Sequence, residues 1–151
     1  MSTLNIYISA DVDGNQQAKL DQRSPGLSVT LTNGVQYHIE NVTVADNFGT
    51  ANLWQTGIGG LTTFEVGCIL STQDIFLQLR SDHSTPEYTL LKVPANVPVF
   101  FGGQIGGSTT DRVDGAALVA DTDYADVDDI QVQRDAADDS GDAVVDLWLW
   151  S

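Results

Sequence analysis

The sequence predicts an all-β protein, a single-domain β-sandwich or jelly roll over residues 1–151. Short apolar runs alternate along nearly the whole chain, with the period of a half-buried strand. Turn residues separate these runs about every 8–12 residues, which is the spacing of sandwich strands. The acidic residues are 18 Asp and only 3 Glu, and Asp favours turns over helices. Together these observations favour about nine or ten short antiparallel strands with little helix.

Alternating runs define the strands predicted for the N-terminal part of the chain. In order, they are Leu4–Ile8, Leu27–Thr32, Val35–Ile39 and Asn52–Gln55. Asn33-Gly34 lies between the second and third runs and is the dipeptide most typical of a two-residue hairpin turn. Residues 27–39 are therefore expected to form a hairpin. One or two turns of helix are expected at most over 15–22.

The remaining strands come from similar runs in the rest of the chain. They are 63–70, 74–80, Tyr88–Val93, Val99–Phe101, Ile130–Gln133 and Val144–Trp150. Because a short polar turn separates the first two, they are expected to pair as antiparallel neighbours. Between them and the C-terminus, residues 111–126 contain a short alanine-rich stretch that Gly115 and several Asp residues limit to a brief helix.

The last strand is apolar on both faces. Alternate positions place Leu147 and Leu149 on one face and Trp148 and Trp150 on the other. Both faces of such a strand must be covered, and one cover is the protein's own core. The other cover is a second sheet or loop, another subunit, or a ligand. If the second cover is another subunit, the interface residues that we predict are Trp148, Leu149 and Trp150.

The charge of the chain limits its partners. The formal net charge is −15, from 21 acidic and 6 basic residues. Nucleic-acid and anionic-membrane binding need clustered Lys and Arg, so neither partner is expected. No stretch approaches the roughly 18 apolar residues of a membrane span, and the N-terminus lacks the basic and apolar regions of a signal peptide. We expect the protein to be made in a cytoplasm without a signal peptide.

The sequence offers little catalytic chemistry, so we expect a protein that is not an enzyme. Its only histidines are His38 and His83, and no Gly-x-Ser-x-Gly motif is present. Two distant histidines and one cysteine make no closed zinc site. Cys68 lies in an apolar run and is expected to be a buried structural thiol. A hydrolase that uses an Asp pair remains the enzymatic alternative.

Calcium is the one metal that the sequence suggests. Carboxylates concentrate between residues 121 and 129, where Asp121, Asp123, Asp126 and Asp128 are the candidate ligands. Calcium takes six to eight oxygen ligands, often from loops of this kind. The alternative is a solvated acidic loop without a bound ion, and no other cofactor is expected.

Aromatic residues suggest a second class of function, a lectin-like carbohydrate-binding β-sandwich that calcium assists, from a phage tail or a cell surface. The residues that would line such a sugar-binding face are Trp54, Trp148, Trp150, Tyr7, Tyr37, Tyr88 and Tyr124. Aromatic residues at strand spacing serve a core or an interface more often than a ligand.

The middle of the chain carries a resemblance to a known group of proteins. An apolar strand, Asp74–Ser81, is followed by a polar turn and then by Leu90–Val99, where Lys92-Val93-Pro94-Ala95 leads into a bend. Over residues 35–105 this pattern resembles small β-rich virion proteins of tailed bacteriophages, especially head decoration (cement) proteins. The resemblance implies a non-enzymatic virion protein, a homo-oligomer that binds capsid protein and stabilises the phage head.

Overall fold

A computed structural model describes residues 2–6, 9–12, 15–19, 27–81, 88–106, 124–134 and 141–151. These residues form fourteen strands and one short 3-10 helix, Ile58–Gly60. The strands are β1 (Ser2–Ile6), β2 (Ser9–Val12), β3 (Asn15–Lys19), β4 (Leu27–Leu31), β5 (Gln36–Val44), β6 (Thr50–Gln55), β7 (Val66–Ser71), β8 (Ile75–Arg80), β9 (Tyr88–Val93), β10 (Val99–Gly102), β11 (Gln104–Gly106), β12 (Tyr124–Asp126), β13 (Asp129–Arg134) and β14 (Ala143–Trp150). The all-β prediction is confirmed.

Two four-stranded antiparallel sheets form the sandwich. The first sheet has the order β10-β7-β14-β5 and the second has the order β6-β13-β8-β9. Every second residue of β8 and β14 is buried, as the alternating apolar pattern predicts. Buried residues of both sheets belong to one hydrophobic cluster, and each fully buried Leu or Ile stabilises the fold by roughly 1.5–3 kcal/mol.

The strand number exceeds the predicted nine or ten because the described residues also contain two unpredicted two-stranded pairs, β2-β3 and β11-β12. The predicted strands β1 and β4 form a third two-stranded pair. The helix expected over 15–22 is wrong at its start, since Asn15–Lys19 is β3 and pairs with β2. A brief helix was also allowed over residues 111–126. The structure describes only Tyr124–Asp126 of this range, which form β12, and the remainder lies outside the described residues.

The hairpin predicted over residues 27–39 does not form. Strand β4 pairs with β1, whereas β5 pairs with β14, with Tyr37 opposite Leu149. Gly34 has the positive φ of 67° that a turn requires. Val35, however, exchanges backbone hydrogen bonds with Ser151 at 3.0 and 2.9 Å. The chain turns where predicted, but β5 continues beside β14 instead of beside β4.

The antiparallel pair predicted for 63–70 and 74–80 is also wrong. Strand β7 belongs to the first sheet and β8 to the second, so the short turn between them crosses from sheet to sheet. Ser71 Oγ stabilises this crossing by donating a 2.7 Å hydrogen bond to the Gln73 carbonyl. The connections β5–β6, β9–β10 and β13–β14 also cross between the sheets. Strand registers place these four crossings at one end of the sandwich.

Strand β6 contains a β-bulge, and a residue of this bulge accepts a hydrogen bond from the first sheet. Asn52 and Trp54 lie opposite consecutive residues of β13, which leaves Leu53 as the extra residue. Leu53 and Trp54 are therefore both buried although they are adjacent. From the first sheet, the Tyr37 hydroxyl donates a 3.1 Å hydrogen bond to the Leu53 carbonyl. The Trp54 ring contacts Phe64 edge-to-face, with 5.5 Å between ring centroids.

Candidate functional site

The outer side of the first sheet carries an aromatic and apolar surface, which we call the tryptophan face. Residues directly opposite each other in antiparallel strands share a side of the sheet. One row across the four strands consists of Phe100, Cys68, Trp148 and His38. The adjacent row places Val66 beside Trp150. Leu70 and Val144 extend the same side, which completes the face: His38, Val66, Cys68, Leu70, Phe100, Val144, Trp148 and Trp150.

The tryptophan face is partly covered by its own side chains. The rings of Trp148 and His38 stack with centroids 4.8 Å apart and an angle of 18° between planes. His38 Nε2 lies 3.3 Å from Glu40 Oε1, which places a carboxylate at the rim. Phe100 remains 42% exposed. The face therefore presents aromatic surface to solvent. Glu40 lies at its border, and one carboxylate, Asp146, lies on β14 between Val144 and Trp148.

Cys68 lies in the middle of the tryptophan face but is only 7% exposed. Its neighbours across the sheet are Phe100 on one side and Trp148 on the other. Burial raises the pKa of its thiol to about 11, because a thiolate is poorly solvated there. The thiol is thus protonated at neutral pH, in agreement with the expected buried position.

The three predicted interface residues do not lie together. Trp148 and Trp150 are on the tryptophan face and are partly buried. Leu149 points the opposite way and is 0% exposed within the core cluster. Its inclusion was wrong, because consecutive residues of a strand face opposite sides of the sheet. Phe100 and Val66 were not predicted, although the alternation of their strands could have placed them on an outer face.

Asp146 interrupts the apolar surface of β14 for a structural reason. The register between β5 and β14 shifts at this point, between Val145 and Leu147. Asn41 in the bulged part of β5 has a positive φ of 58°. Its backbone N–H donates a 2.8 Å hydrogen bond to Asp146 Oδ1. The carboxylate therefore satisfies a donor that the bulge removes from the strand ladder.

The four predicted calcium ligands are only partly described. Asp121 and Asp123 lie outside the described residues. Asp126 is exposed on β12, and its Oδ1 accepts a 3.2 Å hydrogen bond from Gln104 Nε2. The backbone N–H of Asp128 donates to the Arg80 carbonyl at 2.8 Å. Among the residues that the structure describes, no three Asp, Glu, His or Cys side chains lie close enough to hold a metal ion.

The aromatic residues suggested for a sugar-binding face do not share one surface. Trp54 is buried in the core, and Tyr37 packs against that core from the inner side of β5. Tyr88 is exposed on β9 of the second sheet. Among the suggested residues whose side chains the structure describes, only Trp148 and Trp150 lie together. The side chains of Tyr7 and Tyr124 lie outside the described residues.

Comparisons with protein-family models, with curated proteins and with solved structures gave no significant match to this chain. Within the described part of the chain, no helix has the length and apolar character needed to cross a membrane. Function is therefore inferred from the geometry of the tryptophan face and from the charge of the molecule.

Proposed function

We propose that the protein is a non-enzymatic virion structural protein of the head-decoration type, which assembles as a homo-oligomer on a phage capsid. The tryptophan face is the contact between copies in this proposal. The observation that carries it is the row of Phe100, Cys68, Trp148 and His38, which spans all four strands of the first sheet. Exposed contiguous apolar surfaces of this kind are typical of protein–protein interfaces.

The composition of the face supports contact with protein. Interface centres are enriched in aromatic residues and depleted of charged ones, with polar groups at the rim. Here Trp148 and Trp150 lie on β14, an inner strand of the sheet, and Phe100 lies on the edge strand β10. Glu40 lies at the border beside His38, and the Asp146 carboxylate on β14 accepts a hydrogen bond from the Asn41 backbone. This distribution contrasts with the overall net charge of −15. Two copies that meet through this face would keep most of their acidic residues in solvent.

The position of β14 also supports contact through side chains rather than by strand addition. This strand lies between β7 and β5, so its backbone groups are paired on both edges. A partner can therefore reach Trp148 and Trp150 only across the face of the sheet. Rigid aromatic side chains on a central strand lose little entropy on binding, which favours them as contact points.

The oligomer is tested by light scattering coupled to size exclusion over a range of concentrations. We expect the wild-type protein to form a symmetric oligomer, and the double variant Trp148→Ala, Trp150→Ala to dissociate. Loss of a central interface tryptophan costs about 2 kcal/mol or more, which is a roughly 30-fold rise in the dissociation constant. The matched control is Tyr88→Ala, which removes an exposed aromatic residue from the second sheet and should leave the mass unchanged.

Two results would contradict the proposed contact. One is a wild-type monomer at all concentrations, and the other is an unchanged oligomer in the double variant. Circular dichroism and a melting curve should show that both variants remain folded. The capsid assignment is tested separately, with an antibody against the purified protein in electron microscopy of intact phage particles. Labelling on the outer head surface is expected, and unlabelled heads would exclude a decoration role.

A further inference from the structure

The turn between β4 and β5 contains a dipeptide whose chemistry favours deamidation, Asn33-Gly34. The chain has seven asparagines, and Asn33 is the only one that glycine follows. Deamidation begins when the backbone nitrogen of the next residue attacks the asparagine side chain, and a glycine has no side chain to obstruct this approach. A β-branched residue, such as Val42 after Asn41, hinders the same attack. The sequence therefore concentrates this reactivity at one turn.

The structure leaves Asn33 and Gly34 outside every strand. Both residues are exposed, and they lie between β4 and β5, which pair with other strands and not with each other. Gly34 has a positive φ of 67°. Among the described residues, no hydrogen-bond acceptor contacts its backbone N–H. The nitrogen that has to attack Asn33 is therefore not held in a strand ladder.

One contact restrains the Asn33 carboxamide. Its Nδ2 atom donates a 2.9 Å hydrogen bond to Ser151 Oγ. Ser151 is only 1% exposed, and its backbone is fixed by the two hydrogen bonds that it exchanges with Val35. Nδ2 is also the atom that deamidation expels, so the reaction has to break this hydrogen bond. One such bond slows a reaction by about fivefold and does not prevent it.

We propose that Asn33 is a site of spontaneous deamidation in the folded protein, and that its hydrogen bond to Ser151 limits the rate. The Gly34 nitrogen attacks Asn33 Cγ, a C–N bond forms, and Nδ2 leaves as ammonia with the proton of the Gly34 N–H. Water, the only other reactant, then cleaves one of the two C–N bonds of the resulting succinimide ring. The product at position 33 is either aspartate or isoaspartate. The reaction needs no partner, so it is independent of the contact proposed for the tryptophan face.

Both products affect the fold near the end of β14. Each places a new carboxylate next to Thr32, whose backbone N–H donates to Glu65 Oε1 at 3.3 Å, so two negative charges come close together. Isoaspartate also adds a methylene group to the backbone two residues before Val35. The pairing of Val35 with Ser151 continues the β5–β14 ladder. We therefore expect deamidation to weaken this end of the ladder and to lower the melting temperature.

The test follows full-length protein during incubation at mildly alkaline pH, in the folded state and in urea. A glutamate-specific protease cuts after Glu40 and so separates Asn33 from Asn41 for mass spectrometry. We expect the Asn33 peptide to gain mass in the folded protein, because an NH₂ group is replaced by OH. The Asn41 peptide is the internal control, since Asn41 is also exposed and has a positive φ of 58° but precedes valine. It should not change.

Two variants separate the reactive group from its restraint. Asn33→Gln keeps a carboxamide but would have to close a larger ring, so this position should stay unconverted. Ser151→Ala removes the hydroxyl that holds Nδ2 and should accelerate conversion at Asn33 by about fivefold. Isoaspartate can also form where Asp13 and Asp114 precede glycine. That isomerisation leaves the mass unchanged, so the mass increase identifies Asn33.

Three results would overturn the proposal. An Asn33 peptide that gains mass in urea but not in the folded protein would show that the fold blocks the reaction. Equal conversion of Asn33 and Asn41 would remove the role of Gly34. An unchanged rate in folded Ser151→Ala would refute the restraint. Incubated wild type should also melt at a lower temperature than fresh protein, and an equal decrease in incubated Asn33→Gln would place the damage at another residue.

Discussion

The Nη1 atom of Arg134 donates a 2.6 Å hydrogen bond to the backbone carbonyl of Asp74. Its Nη2 atom donates to the Gly141 carbonyl at 3.0 Å, and its backbone N–H donates to the Gly49 carbonyl at 2.9 Å. The side chain is 0% exposed. One residue therefore joins three of the four connections that cross between the sheets at this end of the sandwich. The planar guanidinium suits this position because it can donate in two directions at once.

Arg134→Met should destabilise the protein by about 3 kcal/mol or more, because it leaves two buried carbonyl groups without their donor. Arg134→Lys should recover only part of this loss, since one ammonium group cannot reproduce the geometry of the guanidinium. The free energy of unfolding in urea measures both. The control is Arg80→Met, which removes a partly exposed pair with Asp129 and should cost about 1 kcal/mol or less. Equal losses for the two methionine variants would contradict this account.

The sequence could predict strands and their faces but not their partners. A two-residue alternation is the same in a hairpin and in a connection that crosses between sheets. This is why β7 and β8 were paired with each other although each belongs to a different sheet. The central role of Arg134 was also hidden. In the sequence, Arg134 lies at the end of a strand, where a basic residue is ordinarily exposed. Only the tertiary fold surrounds its side chain with carbonyl groups.

Asp74 should make stability depend on pH. Hydrogen bonds from Lys92 and from the Ala95 backbone N–H, at 2.9 and 2.8 Å, lower the pKa of its carboxyl below the usual 3.8. The folded state therefore binds this proton less readily than the unfolded state. The resulting stability is present above the usual pKa of 3.8 and is lost as the pH falls through the lower pKa of the folded state.

Asp74→Asn should consequently lower the melting temperature at neutral pH, and the difference from wild type should shrink as the pH falls below about 4. Lys92→Met should show the same trend, because Lys92 is the largest cause of the shift. Melting curves across the acid range measure both variants. Glu40→Gln, which changes an exposed carboxyl on the other sheet, serves as the comparison. A difference that does not vary with pH would show that the carboxylate charge contributes nothing.

Tyr37→Phe should destabilise the protein by about 1 kcal/mol, since it removes the donor to the Leu53 carbonyl at the β6 bulge. Burial raises the pKa of the Tyr37 hydroxyl above 10.0. Its contribution to stability is therefore present below that value and declines as the pH rises through the folded-state pKa. Urea unfolding at neutral and alkaline pH should show that the difference in unfolding free energy between wild type and Tyr37→Phe becomes smaller at alkaline pH. A difference in unfolding free energy that increases with pH would contradict the assigned hydrogen bond.

The candidate surfaces were predictable to different degrees. Trp148 and Trp150 were identified because a strand with apolar residues on both faces must be shielded from solvent on both faces. Leu149 was included only because it lies between them, and the alternation that defines the strand already assigns it to the core.

Cys68 provides a probe of the tryptophan face. Its thiol has a pKa of about 11 and lies beside Trp148 and Phe100. Because the thiolate is the reactive species, a disulfide reagent such as DTNB should label native protein far more slowly than urea-unfolded protein at mildly alkaline pH. Trp148→Ala should accelerate native labelling by uncovering the sulfur. Trp54→Phe alters the core between the two sheets and not the tryptophan face. This variant should change the labelling rate of Cys68 much less if the protein stays folded.

The concentration dependence of this labelling separates two sources of protection. If neighbouring side chains alone cover Cys68, the rate constant should be the same at all protein concentrations. If a second copy covers the tryptophan face, wild-type labelling should slow as the concentration rises, because more molecules are then assembled. The Trp148→Ala, Trp150→Ala variant should lose that dependence. A wild-type rate that is independent of concentration in a range where the mass changes would place the subunit contact on another surface.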